Sequence, residues 1–204
     1  MNKLLVLISV LLVAGCTTGS EGGALFEQRI NSSHALDDGS MLVFKENTAF
    51  GMVSGEGEDL MLGNFKAGNY SVISRVLYRF NISDWNNTDI TFHLLCTGVY
   101  GTPGNIDIYV TDDFGRLPLR PSQPMDVNNT WNLLNNREIV SSVSTQSGDW
   151  FTIIIPKESI NSDTLNLILK LTDETITDGN YYVLHSFERG TSRNQQKPYL
   201  TYNQ

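Results

Sequence analysis

Several side chains in this 204-residue sequence have types and spacings that could do chemistry. Arg75 and Arg79 stand two residues either side of Leu77 in SRVLYRF, on one face of a strand. Two guanidinium forks so placed could hold sugar hydroxyls or carboxylates; the alternative is structural ion pairing with acidic residues on a neighbouring strand. Trp85, Trp131, Trp150, Tyr100 and Tyr182 could offer flat π faces on which the apolar edges of sugar rings stack. Trp131, in an irregular segment, and Tyr100 are the preferred contacts. Trp150, beside FTIII in a strand, is expected in the core. Asp37 and Asp38 with Glu188 could give oxygen ligands to a structural Ca²⁺ if the first and last strands meet, although no EF-hand spacing exists; the alternative is a solvated turn at LDDGS.

Catalytic chemistry finds no foothold in the spacing. His34, His93 and His185 lack metal-ligand spacing, no nucleophile elbow or zincin motif occurs, and Asp112-Asp113 fits a turn in which Asp bonds backbone. Glycoside hydrolysis needs two facing carboxylates, which one sequence cannot pair. No catalytic residue is assigned, and a polysaccharide hydrolase or lyase is the minor reading.

Cys16 is the remaining reactive group. It closes an apolar run, Leu4 to Ala14, that follows Lys3 and is about half the ~20 residues a spanning helix needs. A short apolar run ending in small residues is the pattern of a signal peptide. Val13-Ala14-Gly15-Cys16 resembles the lipobox of prokaryotic lipoproteins, in which the cysteine carries the lipid. Each buried methylene contributes about 0.8 kcal/mol, so two acyl chains hold a soluble domain at a membrane. The expected division is a signal peptide over 1–15, a lipidated cysteine and flexible tether over 16–33, and one folded domain over 34–204. The location implied is the cell surface or envelope, with a membrane as partner.

The formal charge is −8, or −9 once Lys3 leaves with the signal, and no Lys/Arg cluster appears, which argues against a nucleic-acid partner. With Cys16 lipidated, Cys96 has no disulfide partner and reads as a buried, inert thiol. Sequons begin at Asn31, Asn69, Asn81, Asn86 and Asn128, candidate glycosylation sites if the source is an archaeon and otherwise markers of surface loops.

The elements that must position these groups are strands. After the small, polar TTGSEGG, apolar residues recur with period two between Gly, Asn, Asp and Pro clusters. In TLNLILKLT, Leu165, Leu167, Leu169 and Leu171 share a face; in NIDIYVT, Ile106, Ile108 and Val110 do; YYVLHSFE alternates likewise. Further strands are expected at about 41–46, 58–62, 72–81, 90–99, 150–155 and 197–203, with no helix longer than a turn or two near PKESI. The segment 112–136 breaks the rhythm and reads as an ordered loop. The fold class is all-β: a two-sheet antiparallel β-sandwich of jelly-roll type, with a partly closed barrel as competitor.

SRVLYRF resembles the "sRxLLrF" signature of the DNRLRE, or disaggregatase-related, domain, similar to carbohydrate-binding module family ninety-six. Thr130-Trp131-Asn132, Gly148-Asp149-Trp150-Phe151-Thr152, and Ser186-Phe187-Glu188 followed by Lys197-Pro198-Tyr199-Leu200-Thr201-Tyr202 resemble its later elements in order, over roughly residues 35–203. The acidic element that usually precedes "TWN" is missing, and His93 and Cys96 replace a plainer aliphatic pattern. The resemblance implies a jelly roll that attaches to polysaccharide and is not itself catalytic. The expected function is therefore a non-catalytic, lipid-anchored surface domain binding polysaccharide, with Trp131, Tyr100, Arg75 and Arg79 as contacts. The alternative is an adhesion module contacting another envelope protein without a sugar site.

Overall fold

A computed structural model describes residues 25–29, 38–54, 59–111, 124–186 and 197–203. Short alternating runs become strands: β1 (Leu25–Arg29), β2 (Asp38–Phe44), β3 (Phe50–Ser54), β4 (Asp59–Ala67), β5 (Tyr70–Asn81), β6 (Ile90–Tyr100), β7 (Ile106–Thr111), β8 (Ser141–Val143), β9 (Trp150–Ile155), β10 (Thr164–Leu171), β11 (Asn180–His185) and β12 (Tyr199–Asn203). Every pairing among them is antiparallel. Hydrogen bonding runs in one path, β1-β12-β6-β11-β4-β5-β10-β7-β8, with β2–β3 added at β5 and β9 added at β6. The architecture is thus all-β and antiparallel.

Two long strands organise that path. β5 pairs with β4 through Tyr70–Ser74 and with β10 through Val76–Asn81. β6 pairs with β12 through Ile90–His93 and with β11 through Cys96–Tyr100, while β9 pairs with its Ile90–Leu95 half. The path curls so that Leu60, Leu62, Val76, Tyr78, Phe80, Ile106, Ile108 and the four alternate leucines of β10 meet Phe92, Leu94, Cys96, Ile153, Tyr182, Leu184, Leu200 and Tyr202 in one core. Each such aliphatic side chain contributes roughly 1.5–3 kcal/mol on full burial, which is how the fold dispenses with a disulfide framework. Tyr78 sits wholly inside, its hydroxyl donating to the His185 carbonyl at 2.9 Å. Burial, reinforced by Asp38 and Asp59, pushes its pKa well up and keeps it a neutral donor.

Two expectations are corrected. Part of the segment read as a loop is helical: α1 (Pro124–Asn132) continues into a 3₁₀ turn, Leu133–Asn136. Proline at the first helical position is pre-organised for a helix and loses no needed N–H. The helix region persists because Leu134, with Leu133 and Trp131, packs on Met41, Leu77, Tyr109 and Ile168, on the opposite side of β2-β5-β10-β7 from the main core. The second concerns the tether, read as extending to residue 33. Leu25–Arg29 is a strand, registered Leu25↔Asn203 to Arg29↔Tyr199, because β12 offers it an unpaired edge.

Candidate functional site

The sequence-derived contacts separate into two places. Arg75 and Trp131 come together under α1. Arg75 is 7% exposed. Its Nε and Nη2 donate to the two carboxylate oxygens of Glu174 at 2.7 Å each, and its Nη1 donates to the Trp131 carbonyl at 2.8 Å. Its guanidinium lies 3.7 Å from the centroid of the Trp131 ring, whose other neighbour is Phe50 at 6.0 Å. The fork is therefore fully engaged inside the fold, in a bidentate pair capped by a cation–π contact. Arg79, four residues further along the same face, donates from Nε to Asn166 Oδ1 at 3.0 Å. Both arginines do lie on one face with Leu77, as the spacing implied, but that face is the one the helix region covers.

Tyr100 lies elsewhere, half exposed at the end of β6. It is directly opposite Tyr181 of β11 and stacks on it, centroids 4.5 Å apart and planes within 14°. Phe65 of β4 meets Tyr181 edge-on at 5.6 Å. Glycine at 98 makes this packing possible: a Cβ there would stand 3.1 Å from Tyr100 Cε2.

A second aromatic group stands nearer the start of β6. β9 alternates exposed and buried along its whole length, with Phe151, Ile153 and Ile155 in the core and Trp150, Thr152 and Ile154 outside. Trp150, expected in the core, is 39% exposed. It meets Tyr199 of β12 edge-on at 5.6 Å, and Tyr199 stacks on His93 of β6 at 4.3 Å with planes 5° apart. His93 Nε2 and Thr201 Oγ1 share a hydrogen bond of 2.8 Å. Thr152 lies opposite His93, and Ile154 opposite Thr91. Aromatic faces and hydroxyls so interleaved on a solvated sheet can stack on sugar rings and bond their hydroxyls. Sequence reasoning missed this group; the available signal was Thr152, in phase with Trp150 and out of phase with the aliphatic residues of FTIII.

The remaining expectations are placed as follows. Cys16, Asn31, Asp37 and Glu188 lie outside the described residues. Asp38 is fully buried in β2, opposite Tyr78, and among the described residues no three His, Cys, Asp or Glu side chains gather to hold a metal ion. Asn69, Asn81 and Asn86 are exposed; Asn128, half-buried, accepts from Asn132 Nδ2 at 2.8 Å. Trp85 packs at the core edge and donates to the Thr88 carbonyl at 2.7 Å. Cys96 is buried, and burial pushes its thiol up to about 11. A cavity of about 230 Å³ opens between Thr111, Arg137, Asn161 and Thr164.

No family model matches the chain, and no curated protein matches it. Among solved structures, the CBM22-1–GH10 modules of Clostridium thermocellum endo-1,4-beta-D-xylanase 10B, complexed with xylohexaose, align with 87% of this chain at a TM-score of 0.34 and 9% identity. This chain spans 28% of that one.

Proposed function

We propose that the chain is a non-catalytic surface domain, a sandwich of jelly-roll type held to a membrane by lipid on Cys16, that binds envelope or extracellular polysaccharide. The observation that carries this reading is the row of solvent-facing rings on the outer side of β6 and its neighbours, Trp150, Tyr199 and His93 at one end and Tyr100 and Tyr181 at the other. An exposed Trp and Tyr give up hydration of a large apolar surface when a sugar face covers them, and their sheet positions fix the rings before the ligand arrives. The resemblance of four segments, in order, to elements of the DNRLRE domain supports the same reading. Arg75, Arg79 and Trp131 act in this reading as structural supports, and Tyr100 keeps its role as a contact.

The test is affinity electrophoresis of the full chain in detergent, through gels containing soluble neutral or acidic polysaccharides. Retardation in at least one gel, reduced by Trp150→Ala, is expected. Unretarded migration of a folded protein in all of them would replace this reading with that of an adhesion module, whose partner is another envelope protein.

A further inference from the structure

The two aromatic groups share a side of β6 because of one extra residue. From Ile90 to Cys96 the strand alternates strictly: Ile90, Phe92, Leu94 and Cys96 enter the core, and Thr91, His93 and Leu95 face outward. Continued, that alternation would send Gly98 and Tyr100 inward. The register with β11 instead slips, pairing Leu184 with Cys96 but Val183 with Gly98, so that Thr97 is a bulge with no opposite residue. Its hydroxyl donates to the Val183 carbonyl at 3.2 Å, and its own carbonyl accepts from Ser147 Oγ at 2.9 Å, which fixes the bulge from β11 on one side and from the turn before β9 on the other. Beyond it Val99 and Tyr182 face the core, while Gly98, Tyr100 and Tyr181 face outward. A bulge that re-aims side chains in this way reverses the phase of everything after it.

We infer that the two groups are the ends of a single track along β6, which binds one extended, uncharged polysaccharide chain by its interior. This rests on the polysaccharide-binding reading above. From His93 to Tyr100 the strand advances roughly 20 Å, a length that spans several sugar units. The floor between the ends is low: Leu95, Gly98 and Val183, with no large ring to interrupt a chain lying flat. Two platforms held by one rigid strand engage the same polymer at high effective concentration, so long chains gain affinity that short ones lack.

The chemistry of the track selects against charge. Among the described residues, the outward side chains of β6, β9, β11 and β12 that build it include no arginine or lysine to pair with a carboxylate. The described acids beside it are Asp149, exposed and next to Trp150, and Asp59, whose Oδ1 lies 3.4 Å from Thr97 Oγ1, and the whole chain carries −8. Basic residues do adjoin the Tyr199 end, where Arg29 of β1 is registered opposite Tyr199 and Lys197 precedes it by two residues. Along β9 and β11 a polyuronate would meet repulsion from the net negative charge, with no lysine or arginine in either strand to pair with it. The arginine fork that could have served one is held by Glu174 beneath the helix region.

The experiment is calorimetric titration of the full chain in detergent with cello- and manno-oligosaccharides from disaccharide to octasaccharide, and with alginate as the charged polymer. In at least one neutral series, affinity should rise by about tenfold or more once the chain spans both groups. Tyr100→Ala and Trp150→Ala should each bring the octasaccharide down by about that factor, towards the value for the disaccharide; thermal unfolding checks that both variants remain folded, and Tyr100→Leu should behave as Tyr100→Ala. Equal affinity for short and long chains, or loss at one group alone, would overturn the single track and leave polysaccharide binding standing. Preference for alginate would overturn the uncharged class. Failure of every saccharide to bind would overturn the underlying reading as well.

Discussion

Glu174 accepts from Nε and Nη2 of a guanidinium that is itself almost without solvent, so the pair behaves as a buried one: removing one partner leaves the other uncompensated. Glu174→Gln should destabilise the protein by about 2–3 kcal/mol, read from urea unfolding, while binding of polysaccharide by the folded fraction is unchanged. Asp178 gives a pH-dependent counterpart. The Ser71 hydroxyl first, and then Lys45 at 3.1 Å, hold its carboxyl below the ordinary aspartate value. A carboxyl depressed by folding stabilises the native state above its unfolded pKa, about 3.9, and that contribution disappears as pH falls through the lower folded value. Urea midpoints measured from neutral pH down to acid should therefore drop less steeply in Ser71→Ala than in the parent protein; identical slopes would remove Asp178 from the account. At this scale the sequence was legible for Cys96, whose apolar flanks announced burial, and for the shared face of Arg75 and Arg79. It was harder to read for Trp150, because four apolar neighbours suggest the core and the in-phase Thr152 was the one local sign that it points out.

Strands declare themselves by alternation, and β5, β7, β9 and β10 were visible for that reason. The interruptions were not. The Thr97 bulge has no composition signal, since it exists only relative to β11, and α1 lacks the apolar stripe that marks an amphipathic helix, covering the sheet chiefly through Trp131, Leu133 and Leu134 at its end. β1 is too short to announce itself and is stable as a strand through its registration on β12. Two changes test the element-level account. Deleting Thr97 joins Cys96, which faces the core, directly to Gly98, which faces outward, so Val99 and Tyr100 keep their sides; the melting temperature should fall only by the loss of the bonds to Val183 and Ser147, about 1–3 kcal/mol, whereas complete unfolding would contradict the bulge as the extra residue. Gly63 in β4 has φ of +123°, and a Cβ there would stand 2.6 Å from the Asn180 carbonyl and 2.8 Å from Leu171 Cδ1. Gly63→Ala should cost about 2–3 kcal/mol, detected as a lowered urea midpoint; an unchanged midpoint would mean that β4 and β11 separate freely there.

For the whole molecule, a curled antiparallel sheet closes on one main core, with a smaller cluster under the helix region, and the proposed lipid on Cys16 would set where its outer side is displayed. Cys16→Ser should move the protein from the detergent phase to the aqueous phase on phase separation; retention in the detergent phase would show that another feature anchors it. The two thiols make a related measurement possible, because Cys96, pushed up to about 11 and buried, should not react in the native state. The measurement that goes most directly to polysaccharide binding is tryptophan fluorescence during titration with a neutral polysaccharide. Trp85 is tied to Thr88 and Trp131 is packed on Arg75, leaving Trp150 as the tryptophan that a ligand on β6 would cover. The account predicts a saturable emission change that disappears in Trp150→Phe although binding persists; no change at saturating ligand, or the same change in that variant, would contradict it.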